Sequence, residues 1–485
     1  MSNRLKAAAA LALAAVLISI PAAAQEIPSE TWMGLYLGQA KIGYARFLID
    51  RETFQGKPGY RLDSASVVRL LALGVEVEQT LDTAVHLNKN FEPVYQMFKM
   101  SSAGHTTTVT AVFRAEEIVA EVTSAGTKSA RRIPIPAGSK IVGDDTFLPP
   151  TVKLKVGDKL SLKWFNPLTL SLDDLQTEVL RREELKLGEE AHQAFVIKTV
   201  TPLGEITCWQ NEKGDLLKVV ALMGIIMLRE PKEVAQSIEP RAGNYVPPSD
   251  LAVMTSAPTA TEIPNPRQAK YMKLRLLGLR DRTLVVSDGR QKVGYSGGEK
   301  PVAEYEIAAS EPDSSRAVSL PIRDAGMKEF LAESPYVQPA NSEIAALARK
   351  IAGDEKNTCT VTSRLRAWVN SNMAPRGDIG IIRSSVDVLH AKTGVCRDYA
   401  VLYAALARAV GVPTKLVAGL VYWKDGFYYH AWAESFVGEW IPVDPTLSSN
   451  FVDATHIKLA EGDATAMFDI VKTMGALKAE ILDFK

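Results

Sequence analysis

The sequence predicts an α+β protein, with an antiparallel β-rich N-terminal region followed by a C-terminal α+β domain. Three observations support this class. Residues 31–230 mostly alternate apolar and polar side chains, which is typical of strands with one buried face. Residues 231–269 contain seven prolines, which interrupt helices and strands alike. After about residue 337, apolar residues recur three and four positions apart, the spacing of a buried helix face.

Residues 1–24 are expected to be a signal peptide. Arg4 and Lys6 precede an apolar run over residues 7–18, and small residues end the segment at Ala24. This layout is typical of a bacterial secretory signal, and the run is shorter than the roughly 20 apolar residues of a membrane helix. Retention of the segment as an anchor helix is the alternative. We therefore expect a periplasmic or secreted protein with no membrane span in the mature chain.

The balance of charges argues against nucleic acid as a partner. The chain holds 56 basic and 56 acidic residues. Binding to nucleic acid depends on clustered Lys and Arg side chains that neutralise phosphates. The composition gives no support to such a function, and none to attachment at a membrane surface by charge.

The chain has three cysteines, Cys208, Cys359 and Cys396. A scaffold built on disulfides would contain more cysteines, in even number. Cys208 and Cys359 are compatible either with two buried thiols or with a disulfide between them. The sequence leaves both alternatives open.

Residues 25–230 are expected to form the β-rich domain. Short alternating runs such as 75–78, and β-branched runs such as 106–113, are separated by turns rich in Gly, Asn and Lys. They predict an antiparallel sheet, either large and curved or arranged as an open barrel. Residues 231–269 are predicted to be a proline-rich linker, and residues 270–335 a second, small β-rich region.

Residues 336–485 are expected to begin with helices and to continue with an antiparallel sheet. Asn341 is suited to cap a helix whose buried face carries Ile344, Leu347 and Ile351. A second helix is predicted over residues 360–372, where apolar residues again lie on one face.

A further helix is predicted to begin at Cys396. Apolar residues follow it at helical spacing, and Gly411 ends the helix, the apolar positions being Tyr399, Leu402, Leu406 and Ala409. Cys396 therefore lies in the first turn, where open backbone N–H groups and the helix dipole favour the reactive thiolate. A cysteine that only packs would be expected in mid-helix, on the apolar face.

Two strand-like segments follow, 415–422 and 427–436, joined by an Asp-Gly turn. A third short segment ends at Asp444. Neighbouring antiparallel strands would place His430 beside Asp444, and packing of the sheet on the helix would bring His430 to Cys396. This order matches a nucleophile, a base and an orienting carboxylate, in which the thiolate attacks an acyl carbon and the imidazole transfers the proton.

These residues resemble the transglutaminase-like superfamily, a branch of the papain-type cysteine enzymes that includes bacterial cysteine peptidases. The resemblance lies within residues 341–485 and is carried by the motifs GVCRDYA at 394–400, ARAVGVP at 407–413, HAWAE at 430–434 and WIPVDPT at 440–446. It implies a papain/transglutaminase-like α+β fold and a catalytic triad of Cys396, His430 and Asp444. Animal transglutaminases use calcium, but the sequence has no loop of the EF-hand kind, so we expect neither metal nor cofactor.

Two functions are compatible with these features. The first is an exported, cysteine-dependent acyl-transfer enzyme that acts on peptide or amide substrates, as a peptidase or amidase when water is the acceptor and as a transglutaminase when an amine is. The second is a non-catalytic envelope module, in which the triad is vestigial and the β-rich region binds an envelope protein partner or a lipid-like ligand. Rapid thiol alkylation at acid pH would distinguish an activated Cys396 from an ordinary thiol, whose pKa is about 8.5.

The remaining candidates have simpler interpretations. Asp398 is expected to complement the helix dipole, and Trp432 and Trp440 either line the cleft or pack. His390 is a minor candidate for participation because it precedes Cys396 by six residues. The other histidines are interpreted as ordinary surface or hydrogen-bonded residues, namely His86, His105, His192 and His456.

Overall fold

The computed structural model describes residues 27–72, 74–102, 104–124, 126–144, 154–238, 250–376 and 382–485. The chain divides into two compact units. The β unit is formed within Ala12–Leu71 and Glu76–Ser249, and the α+β unit mainly by Asp250–Lys485. The predicted signal peptide, residues 1–24, lies outside the described residues. Within the described ranges, no helix is long and apolar enough to cross a membrane.

The β unit is one large sheet followed by a short helix. Its strands are β1 (Ser29–Leu37), β2 (Ala40–Phe54), β3 (Lys57–Ala72), β4 (Val75–Asn88), β5 (Pro93–Ser102), β6 (His105–Phe113), β7 (Glu117–Ser124), β8 (Thr127–Pro134), β9 (Ile141–Val142), β10 (Lys159–Asn166), β11 (Ser171–Leu187), β12 (Glu190–Thr201), β13 (Gly204–Asn211), β14 (Leu216–Val220) and β15 (Ile225–Arg229), and its helix is α1 (Lys232–Gln236). The strand order runs from β8 back to β1, continues to β15, and then runs back to β9.

The sheet curls so that distant strands share one core. Ile49, Leu62 and Val85, from β2 to β4, belong to the same buried cluster as Trp164 and Leu175, from β10 and β11. Strand alternation produces this cluster, because every second side chain points to the concave face. The predicted antiparallel, curved sheet is therefore confirmed.

Within its described residues, the α+β unit contains five α-helices and eleven strands. They are α2 (Leu251–Thr255), β16 (Ala257–Pro258), β17 (Tyr271–Leu277), β18 (Gln291–Ser296), β19 (Val302–Ala308), α3 (Ser342–Ala352), α4 (Thr358–Asn372), β20 (Ala374–Pro375), α5 (Ser385–Ala391), β21 (Thr393–Gly394), α6 (Cys396–Ala409), β22 (Thr414–Trp423), β23 (Gly426–Phe436), β24 (Trp440–Val443), β25 (His456–Gly462) and β26 (Lys478–Phe484).

The central sheet of this unit positions the predicted site. Its order is β16-β23-β22-β25, and β24 also pairs with β23. Helix α6 packs on β22 and β23 and against α3, α4 and α5. The side chain of Asn341 accepts hydrogen bonds from the first turn of α3, so the predicted cap is present. Helices followed by an antiparallel sheet, as predicted, make up this unit, and the α+β class is confirmed.

The boundaries within residues 231–335 differ from the prediction. Lys232–Gln236 is helical, residues 239–249 lie outside the described residues, and residues 250–269 pack within the α+β unit. Ala257 and Pro258 form an edge strand on β23, a position that tolerates proline because no ladder donor is needed there. Residues 270–335 are not a separate region, because β17 pairs with β26. Such distant pairings leave no local signal in the sequence.

Candidate active site

Cys396 is the first residue of α6, and its side chain is 3% exposed. The loop that leads to it is fixed by Asp398, which accepts a hydrogen bond from the backbone N–H of Val395 at 2.9 Å and pairs with Arg383 at 2.9 Å. A Cβ atom on Gly394 would lie 2.4 Å from both side chains of that ion pair. The glycine is therefore required by the buried pair, and the pair holds the start of the helix in place.

His430 lies on β23 and Asp444 directly follows β24, which pairs with β23. The Nε2 atom of His430 lies 2.8 Å from Oδ2 of Asp444. Cys396 also contributes to the electrostatics of the His430 ring. The Nδ1 atom of His430 is buried and has no hydrogen-bond partner among the described residues. The structure thus brings His430 and Asp444 into contact, with Cys396 near enough to the ring to affect its pKa.

The electrostatics of the His430–Asp444 pair favour a charged imidazole. Burial lowers the pKa of His430, but the charges of Asp444 and Cys396 and the hydrogen bond to Asp444 outweigh burial and raise that pKa to about 10. Burial raises the pKa of Asp444, yet His430 and His456 together hold that pKa well below its usual range. An imidazolium between a carboxylate and a thiol stabilises the thiolate, which is the nucleophilic form.

Asp444 is saturated with hydrogen-bond donors. Its Oδ1 accepts from the backbone N–H of Thr446 at 2.8 Å and from the Thr446 hydroxyl at 2.7 Å. Its Oδ2 receives Nε2 of His430 and also Nε2 of His456, the latter at 3.2 Å. A carboxylate accepts about four such bonds, so Asp444 has little freedom to rotate.

His456 is a site residue that sequence reasoning missed. It begins β25, which pairs with β22 on the side away from β23, and its ring is 0% exposed. No spacing rule joins it to Asp444, because the loop between them has no regular structure. The one usable signal is the polar run Asp453-Ala454-Thr455-His456 just before an apolar strand.

Trp432 and Gly419 shape the sheet around His430. The ring of Trp432 is buried and stacks near His430, with a centroid distance of 6.0 Å, and meets His456 edge-on at 5.4 Å. Trp440, the other tryptophan considered, instead packs on Phe330 and Phe436. Trp432 therefore belongs to the wall of the site, and Trp440 to a neighbouring aromatic cluster.

Glu434, from the same motif as His430, stabilises the sheet through ion pairs. Its carboxylate pairs with Lys458 of β25 at 2.9 Å and with Lys415 of β22 at 3.2 Å. Burial lowers the pKa of Lys458, but Glu434 and Asp288 outweigh burial and raise it. These paired buried charges join the three strands that surround the site, at a position where an unpaired charge would be costly.

The same cluster has the composition of a metal site. His430, Asp444 and His456 offer ligand atoms within 4.8 Å of one another. Those atoms are already joined by the hydrogen bonds of 2.8 and 3.2 Å. These hydrogen bonds account for the arrangement of the three ligand atoms without an ion. No step of the proposed reaction is assigned to a metal.

The other candidates lie outside this cluster. His390 is half exposed and pairs with Glu343 at 3.0 Å. Cys208 is buried on β13 and Cys359 on α4, and the two do not form a disulfide. Burial raises the pKa of the Cys359 thiol.

Comparisons with known proteins agree with this division. Residues 345–445 match the family model of the transglutaminase-like superfamily, and residues 34–224 match a family described as a protein of unknown function, DUF3108. The α+β unit therefore carries a transglutaminase-like domain. A curated relative, the uncharacterized protein ML0607 of Mycobacterium leprae, is 28% identical over 184 residues, which are 35% of this chain and 64% of that protein. The match thus spans less than two thirds of the relative's length.

Solved structures show only distant similarity. A "putative cysteine protease" from Cytophaga hutchinsonii is 18% identical, with 45% of this chain and 89% of that chain covered and a TM-score of 0.33. A β-barrel-like protein of the DUF1849 family from Brucella abortus is 10% identical, with 43% and 97% covered and a TM-score of 0.32. The periplasmic domain of TgpA from Pseudomonas aeruginosa is 16% identical, with 41% and 94% covered and a TM-score of 0.28.

Proposed function

We propose that the α+β unit is a cysteine-dependent acyl-transfer enzyme acting on peptide or amide substrates, with Cys396 as nucleophile, His430 as base and Asp444 as orienter. The observation that carries the proposal is the 2.8 Å contact between Nε2 of His430 and Asp444, on a ring whose buried Nδ1 atom has no hydrogen-bond partner in the described part of the chain and whose pKa is affected by Cys396 at the start of α6. Nucleophile, base and orienter in mutual reach are what covalent catalysis requires.

In the proposed reaction the thiolate of Cys396 attacks the acyl carbon, and the positive end of α6 favours the negative charge that develops on the acyl oxygen. His430 gives its proton to the leaving amine as the C–N bond breaks, which leaves a thioester on Cys396. His430 then takes a proton from the acceptor, which attacks the thioester, and the thiolate leaves. Asp444 keeps Nε2 of His430 protonated throughout, so that Nδ1 carries the transferred proton.

The acceptor decides between the two reactions. Water gives a carboxylic acid, and the protein is then a peptidase or amidase; an amine gives a new amide, and the protein is then a transglutaminase. We favour hydrolysis for an exported protein in contact with bulk water. Export itself is part of the proposal, because it depends on the signal-like residues 1–24.

Labelling with a peptide vinyl sulfone, followed by peptide mass spectrometry, tests the proposal. Adduct formation on Cys396 and its loss in His430→Gln are the expected results. Cys359 provides an internal control, since burial raises the pKa of its thiol and it should stay unlabelled. Equal labelling of Cys396 and Cys359, or labelling that survives His430→Gln, would refute the assignment. A peptide-library screen with amine and water as competing acceptors then identifies the reaction.

A further inference from the structure

A buried row of four polar side chains continues the site beyond Asp444. Nε2 of His456 lies 3.2 Å from Oδ2 of Asp444, and Nδ1 of His456 lies 3.3 Å from Oδ1 of Asp453. Asp453 is in turn paired with Arg267 at 2.7 Å. His430, Asp444, His456 and Asp453 are at most 6% exposed. The row thus connects the proposed base to residues far from it along the chain.

The hydrogen-bonding chemistry fixes the direction of each contact. An ionised carboxylate only accepts, so a ring nitrogen that faces one must carry a proton. Asp444 faces Nε2 of both His430 and His456. His456 therefore donates from Nε2, while its Nδ1 atom lies 3.3 Å from Oδ1 of Asp453 without a hydrogen bond. His430 likewise donates from Nε2, which leaves its Nδ1 for the thiol.

The surroundings of His456 support a donor role. The charged or titratable groups that the structure places around it are Asp444, Asp453 and His430, together with Arg290, whose guanidinium donates to the backbone carbonyl of His456 at 2.9 and 2.7 Å. Arg290 thus fixes the backbone of His456, and the hydrogen bond from Nε2 to Asp444 orients its ring. A ring oriented in this way is able to hold Asp444 in return.

We propose that His456 is a positioning residue, whose Nε2–H holds Oδ2 of Asp444 in the orientation that receives His430, while Asp453 and Arg267 anchor His456. The inference rests on the proposed triad. The alternative is that His456 only stabilises the packing of β25 against the loop before it. A purely structural histidine would stabilise the fold, and the reactivity of Cys396 in folded protein would not depend on which of its nitrogens donates.

Two matched substitutions separate these roles. In His456→Gln the side-chain amide reaches the position of Nε2 and is able to donate to Asp444. In His456→Asn the shorter amide reaches the position of Nδ1 and is able to contact Asp453 instead of Asp444. Both variants are uncharged and polar, so they differ mainly in the carboxylate that they contact.

The measurement is the rate of Cys396 alkylation by iodoacetamide in the full chain, followed by mass spectrometry, with melting temperature as the check on folding. At about pH 6, His456→Asn should react at least about tenfold more slowly than wild type, a loss comparable with that of an outer partner of a metal-bound histidine. At about pH 9, where even an ordinary thiol is largely ionised, the difference should nearly vanish. His456→Gln should restore most of the rate at about pH 6.

Equal rates for both variants at about pH 6, whether at the wild-type level or below it, would overturn the inference. If neither variant folds, ¹⁵N NMR of the histidine rings in wild type decides. A proton on Nε2 of His456 supports the inference, and a bare Nε2 refutes it. If the proposed function is wrong, wild-type Cys396 should react no faster than Cys359 at about pH 6. This result differs from the one that would overturn the inference about His456. The ring-protonation result for His456 is independent of that outcome.

Discussion

Gly419 lies directly opposite His430 in the register of β22 and β23. A Cβ atom at Gly419 would lie 2.0 Å from the carbonyl oxygen of Ile457 and 2.9 Å from the ring of Trp432. The neighbouring strand and the tryptophan wall of the site thus occupy the space where a side chain would stand. A hydrogen atom at this position is what lets the backbone of β22 approach both.

Gly419→Ala should therefore damage both stability and reactivity. The methyl group forces β22 away from β25 or displaces Trp432, and we expect a loss of about 1 to 3 kcal/mol in the free energy of unfolding, with slower labelling of Cys396. The control is Gly294→Ala, because Gly294 is also a strand glycine but has open space above it. Denaturant unfolding of the two variants checks the prediction, which fails if they behave alike.

Cys396→Ala and Leu406→Ala should separate chemistry from folding. Leu406 is 0% exposed on the same helix, so its truncation should cost about 2 to 5 kcal/mol of unfolding free energy through lost burial and a cavity. Cys396→Ala should abolish labelling and leave the melting temperature nearly unchanged, because little apolar surface is lost. Melting curves and probe labelling measure both effects. If Cys396→Ala unfolds the unit as severely as Leu406→Ala, Cys396 is a packing residue.

Asp444→Asn should be less damaging than loss of the thiol but still severe. The amide NH₂ would face the Nε2–H groups of His430 and His456, so His430 would reverse its tautomer and present N–H instead of a lone pair to the thiol. The equivalent change in a serine triad lowers turnover by about 10⁴-fold. We expect slow residual labelling of Cys396 with little change in melting temperature. Wild-type labelling rates in this variant would contradict the orienting role.

The pH dependence of stability follows from the pKa of His430. Because folding raises that pKa from an ordinary value near 6.5 to about 10, the stabilising contribution is complete below about pH 6.5 and is lost as pH rises toward 10. The effect of Asp444 on the pH dependence of stability is opposite. Because folding lowers its pKa, its stabilising contribution is lost at acid pH. In His430→Gln the decline of melting temperature at alkaline pH should be smaller. His390→Gln, a half-exposed control, should follow the wild-type curve.

Residues 250–269 should be needed for the α+β unit to fold. They supply the edge strand on β23, and Arg267 pairs with the buried Asp453. A fragment of residues 250–485 should melt cooperatively at a higher temperature than one of residues 270–485, which loses the strand and leaves Asp453 without its cation. Equal melting temperatures for the two fragments would support the linker that the prolines predict.

The sequence was informative where the determinants are local. The start of α6, its apolar spacing and its terminating glycine lie close together in the sequence. The position of Cys396 in the first turn could therefore be predicted. His430 lies on β23 and Asp444 directly after β24, and these strands are neighbours both along the chain and in the sheet, which made their meeting predictable. His456 could not be foreseen, because β25 reaches the site from the far side of β22. The pairing of β17 with β26 was missed for the same reason.

The pairing of β17 with β26 also constrains the order of folding. Met272 and Phe484 are partners in this ladder although about 200 residues separate them. Closing so long a loop costs entropy before any contact compensates for it, so contacts of this kind slow folding. A growing chain cannot complete this ladder until its last strand has been synthesised. We therefore expect the α+β unit to acquire its native state late and in a single concerted step.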